Sequence, residues 1–120
     1  MLPAMGQLPG PLTGAPIGLA GGAVVRLPDA DGALPVNNGI AAITPTAPRT
    51  LTLPPLSGQG DGDRVTLTVL AAFVVTVNAN GTDPINDVPG APASAVVPGN
   101  SDTTFVADKT TVPNTWLTLS

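Results

Sequence analysis

The sequence predicts an all-β protein: a small β-sandwich, barrel or roll with an extended Pro/Gly-rich N-terminal arm. Three observations carry that expectation. Apolar and polar residues alternate with period two in several short windows, as in strands that bury one face. Pro, Gly and Asn-Gly signals break up those windows at the spacing of roughly 8–12 residues found in sandwiches and barrels. No window shows apolar spacing of three and four without Pro, Gly or β-branched runs, so helix is nearly excluded.

Composition shifts near residue 47 of the 120. Residues 1–46 hold seven Pro and eight Gly. Pro fixes φ and lacks an N–H, and Gly loosens the backbone, so this part reads as an extended arm. Two strand-like pieces stand out in it, Ala23–Leu27 and Gly39–Thr44, separated by the turn-forming run Pro28-Asp29-Ala30-Asp31-Gly32. Val24, Val25, Leu27, Ile40 and Ile43 make the arm too apolar for a purely solvated tail.

Residues 47–120 read as a compact all-β body. Arg49 to Leu53 alternates and stops at Pro54-Pro55. Arg64 to Leu70 places Val65, Leu67 and Val69 on one face, with Thr on the other. Phe73 to Val77 aligns Phe73, Val75 and Val77, and Ala71-Ala72 marks a tight connection before it. Asn80-Gly81 is a turn signal. Thr82 to Pro92 carries three Pro and reads as a loop. Ala93–Val97 and Thr103–Ala107 are short strands, the second with Thr103, Phe105 and Ala107 on one side. In the closing Thr115–Leu119 segment, Leu117 and Leu119 share a face and Trp116 points to the other. Trp116 therefore reads either as the anchor of an edge or subunit contact or as a cap on the body's own core. No internal repeat is visible.

The chain has no His, Cys, Glu or Tyr and a single Lys, which removes nearly every side chain that performs chemistry near neutral pH. Its Ser hydroxyls lack an activating base, apart from a formal pairing with Lys109. Glycoside cleavage by paired carboxylates would lean on aromatic platforms, and there are only three aromatic residues, Phe73, Phe105 and Trp116. The expectation is a structural or binding protein with no cofactor, no metal and no small-molecule substrate. Nucleic acid is disfavoured, because Arg26, Arg49, Arg64 and Lys109 are scattered and the net charge is −4. No membrane span is expected. The longest apolar run, Val65 to Val77, is too short to cross a bilayer as a helix. No targeting segment is expected either, since no cation precedes Arg26 and Pro interrupts the N-terminal apolar residues.

The most site-like cluster is Gly60-Asp61-Gly62-Asp63. Two Asp at this spacing suit a hard cation, but an EF-hand loop needs more ligands and a closing Glu. The plainer reading, for this pair and for Asp29 with Asp31, is backbone turn geometry. The Gly run also lacks the Gly-Lys-Ser/Thr ending of a phosphate loop. Asn80-Gly81-Thr82 matches the glycosylation spacing, with no secretion signal to support it.

Charged residues make up 10% of the chain, against an average of about 25%. A surface so poor in charge, over a core of mostly small side chains, favours oligomerisation or docking onto other protein. The rhythm of Thr50-Leu51-Thr52-Leu53-Pro54, Gly62 to Leu67, Val75 to Gly81, Asp83 to Asn86, Thr103 to Asp108 and Asn114 to Leu117 resembles the small β modules of tailed bacteriophages. Such modules occur in tail fibres, head fibres and capsid decoration proteins. A short chain with a Pro/Gly arm and a β head is most similar to a capsid decoration, or cement, protein. That resemblance implies a homotrimer on the outer capsid surface of the virion, bound to the major capsid protein and stabilising the head lattice. On that reading Val24, Val25, Leu27, Ile40 and Ile43 contact the capsid and Trp116 seals the trimer. The alternative is a head or tail fibre component that attaches to a host surface.

Overall fold

Period-two alternation becomes strand wherever the chain can bury one face. The computed structural model describes residues 23–120. Within them lie β1 (Val24–Arg26), β2 (Gly32–Ala33), β3 (Ile40–Ile43), β4 (Arg49–Thr52), β5 (Arg64–Val69), β6 (Val75–Asn78), β7 (Ser94–Val97), β8 (Asp102–Asp108) and β9 (Thr115–Leu119). A single 3-10 turn at Leu56–Gly58 is the only helical piece among the described residues. The all-β expectation holds.

The strands form two sheets, a five-stranded one in the order β1-β3-β5-β8-β9 and a four-stranded one in the order β2-β4-β6-β7. Successive strands alternate between the sheets from β1 to β6, so the chain winds as a roll. Pairing inside each wound layer is therefore parallel: β1 with β3, β3 with β5, β2 with β4, β4 with β6. The last three strands reverse direction. β7 lies antiparallel on β6, β8 on β5, and β9 on β8.

One apolar core lies between the sheets. Val65, Leu67, Val69, Phe105 and Ala107 enter it from the larger sheet, and Leu51, Val75, Val77 and Val97 from the smaller. Burying such an aliphatic side chain contributes about 1.5–3 kcal/mol. Leu34, Ala41 and Ile43 join the same core. The body therefore takes in the described residues before 47 as well, from β1 onward. Pro28, Pro35 and Pro45 fall in the connections between β1, β2, β3 and β4, where a missing N–H costs no ladder bond. The expected arm keeps no described part that stands free of the body. Its remainder, residues 1–22, lies outside the described residues.

Two side chains sit differently from expectation. Phe73 is 41% exposed, because Ala71 to Phe73 form the crossing from one sheet to the other and β6 starts only at Val75. Trp116 is 0% exposed. It stands opposite inward-facing Ala107 in the β8–β9 ladder, so Trp116 faces the core and Leu117 and Leu119 face out.

Candidate functional site

The two edges of the five-stranded sheet differ. At the β9 edge, Trp116 N–H donates to the Pro84 carbonyl at 3.0 Å, and Asn86 N–H donates to the Trp116 carbonyl at 2.7 Å. Thr118 N–H then donates to Asn86 Oδ1 at 3.0 Å, while Asn86 Nδ2 donates to Thr118 Oγ1 at 2.8 Å. The Asn86 carboxamide thus replaces a strand neighbour, and the edge is closed to other chains. Asn86 reaches this position with φ +50°, a conformation that Asn tolerates better than most residues.

No described residue covers the β1 edge. Leu27 N–H donates to the Ala42 carbonyl and Ile40 N–H to the Ala23 carbonyl. By alternation, the N–H and C=O groups of Val24 and Arg26 turn away from β3, where a further strand would pair.

The outer face beside that edge is mixed. Register places Val24, Ile40, Thr66, Thr104 and Leu119 in one row across all five strands. Val24 is 62% exposed and Ile40 40%. Thr66 and Thr104 join through their hydroxyls at 2.7 Å at the centre of the row. Arg26 and Arg64 are exposed at opposite ends of this face and make no ion pair with any described residue.

The other two cations are already engaged. Arg49 Nε donates to Asp29 Oδ1 at 2.8 Å, and Asp29 also accepts from the Thr46 N–H and hydroxyl. The Arg49 bond, then those from Thr46, hold the Asp29 carboxyl down at about 2. This clamp ties the β1–β2 turn to the β3–β4 corner. Lys109 Nζ donates to the Leu56 and Gln59 carbonyls at 2.9 Å each, closing the 3-10 turn.

The Asp61 and Asp63 cluster likewise serves backbone. Asp61 Oδ1 accepts from Lys109 N–H at 2.9 Å, and Asp63 Oδ2 from Gly60 N–H at 2.8 Å. Gly62 has φ +86°, which explains the glycine there. Asp31 accepts from Thr50 N–H at 2.9 Å. No three acidic side chains converge among the described residues. No helix among them is long and apolar enough to cross a membrane.

Of the residues read from the sequence as capsid contacts, the structure brings Val24 and Ile40 together on the exposed face. Val25 and Leu27 are half-buried, and Leu27 packs against the core. Ile43 is 1% exposed and belongs to the core. Trp116 is the second correction, since a side chain with no exposed surface offers nothing to a neighbouring copy. Arg26 and Arg64 on this face were not singled out: Asp29 and Asp31 follow the first and Asp61 and Asp63 precede the second in sequence, and only the structure shows that those carboxylates are turned to other partners.

No protein family, curated protein or solved structure matches the chain.

Proposed function

We propose that this protein is a structural component of a virion, a capsid decoration protein that stabilises the head lattice by docking on the major capsid protein as a homotrimer. The observation that supports this most is the asymmetry of the larger sheet among the described residues, covered at β9 by Pro84 and Asn86 and covered at β1 by none of them. An open edge flanked by exposed Val24 and Ile40 suits strand addition, in which main-chain hydrogen bonds give affinity and a few side chains give register. Arg26 and Arg64 favour an acidic partner surface. Three copies raise the avidity of a contact that is small in each. The contact set narrows to Val24, Arg26 and Ile40. Function on this reading is mechanical, consistent with a side-chain repertoire that lacks His, Cys, Glu and Tyr.

The test is cosedimentation of the full chain with purified phage heads stripped of it. Val24→Pro blocks the outward edge without removing a bond to β3. Ile40→Asp places a charge in the exposed row. Both variants should fold and lose binding, and the wild type should raise the temperature at which heads release DNA. Wild-type binding that survives both changes, or no binding to any head lattice, overturns the proposal.

A further inference from the structure

The outer face of the four-stranded sheet carries two open clefts that meet at Thr52. One, of about 630 Å³, is lined by residues that include Thr50, Thr52, Gln59 and Asn80. The other, of about 460 Å³, is lined by residues that include Thr52, Asn78 and Thr82. Outward side chains on adjacent strands step across this face, with Thr50 beside Thr76 and Thr52 beside Asn78.

Two features mark this face. Many amides and hydroxyls elsewhere among the described residues serve the fold itself, as Asn37, Asn38, Asn86, Thr46, Thr66 and Thr118 do by bonding to described partners. The Thr50, Thr52, Asn78, Asn80 and Gln59 side chains bond to none of the described residues, although they crowd one groove. The groove is also nearly uncharged. Asp31 is the only ionisable side chain that lines it, and its Oδ1 already accepts from Thr50 N–H. Polyanions find no cation there. Pro35 and Pro54 in one cleft and Pro92 in the other add apolar ring surface beside the polar groups.

We propose that this face binds a neutral oligosaccharide laid across the strands. The strand spacing of about 4.8 Å is close to the length of one pyranose unit, so each sugar meets a fresh set of short neutral donors and acceptors. Pro rings and the Thr methyl groups pack against its C–H faces. With no aromatic platform, the dissociation constant for one copy is on the order of 1 mM. Several copies on one particle would bind a glycan-coated surface far more tightly. The site lies on the opposite sheet from the β1 edge, so it stays free when that edge is docked.

The experiment is titration of the isotope-labelled full chain with maltohexaose, cellohexaose and N-acetylchitohexaose, read by amide chemical shifts. At least one sugar should shift residues 31–36, 50–54 and 78–82 in a saturable way that is insensitive to salt. Thr52→Val and Asn78→Leu keep the strands and should each weaken binding about fivefold, the worth of one neutral hydrogen bond. Thr68→Val, on the other sheet, should leave it unchanged. The proposal is overturned if no sugar produces saturable shifts, if Thr68→Val weakens binding as much as Thr52→Val does, or if dextran sulfate is bound at these amides in preference to the neutral sugars.

Discussion

Asp29 accepts three hydrogen bonds where the β1–β2 connection meets the β3–β4 connection, and its carboxyl is held at about 2 against an ordinary 3.8. A depressed folded-state value means that the clamp contributes stability above pH 3.8 and loses it as pH falls toward 2. Thr110 holds the Asp108 carboxyl below its usual range in the same way. Acid unfolding of Asp29→Asn should show a shallower loss between these two pH values than the wild type, with a lower melting temperature at neutral pH. Equal slopes would remove the clamp from the account. Trp116 presents the opposite case, buried completely with its Nε1–H unpaired among the described residues. Trp116→Ala should cost about 3–5 kcal/mol in urea unfolding, as large aromatic deletions from cores do. Trp116→Phe also deletes the orphan donor, whose desolvation costs about 1–3 kcal/mol, so its penalty should be much smaller. The sequence showed that Trp116 and Leu117 take opposite faces, but alternation alone does not say which face is inner. The ladder to Ala107 decides it.

Most strands were legible because each buries its own alternating face regardless of its neighbours, and the observed bounds of β5, β8 and β9 lie within a residue or so of the expected ones. β2 was not legible. It has two residues, one of them Gly, and exists only because β4 lies beside it. The connections hold further information that no pattern displays. Gly99, between β7 and β8, lies against the β5–β6 crossing, where Asn100 N–H donates to the Ala71 carbonyl at 2.9 Å. A Cβ on Gly99 would stand 2.5 Å from the Ala72 carbonyl carbon and 2.6 Å from the Ala71 oxygen. Both are backbone atoms, so neither can turn aside. Gly99→Ala should therefore cost about 1–3 kcal/mol, the range of overpacking. Gly58→Ala, which meets nothing within 4 Å, is its control and should be neutral or slightly stabilising. Similar losses for the two variants in denaturant melts would show that the crossings are not in contact.

At the scale of the whole molecule, the chain repeats in space without repeating in sequence. In the larger sheet Val24 lies beside Ile40 and Ile40 beside Thr66, and in the smaller Gly32 lies beside Leu51 and Arg49 beside Val75. Successive coils thus differ in length by several residues, which is why no fixed period shows. Alternation also reports a strand's inner face but not the sheet to which it belongs, so the winding between sheets was hidden, as was the groove, which draws Thr50, Thr52 and Asn78 from neighbouring strands. The same winding explains why the Pro/Gly-rich part resembled an arm: its described strands are short, and Pro28, Pro35 and Pro45 lie in the connections. The consequence is a sharp expectation for truncation. Removing residues 1–46 would strip β1 and β3 from one sheet and β2 from the other, and take Leu34, Ala41 and Ile43 out of the core. The fragment would expose the edges of β4 and β5 and much apolar surface, so it should aggregate or unfold without cooperativity. Circular dichroism and urea titration decide this. A fragment that unfolds cooperatively with the full chain's m-value would mean that β1, β2 and β3 bury little in the native state, because m follows the surface exposed on unfolding.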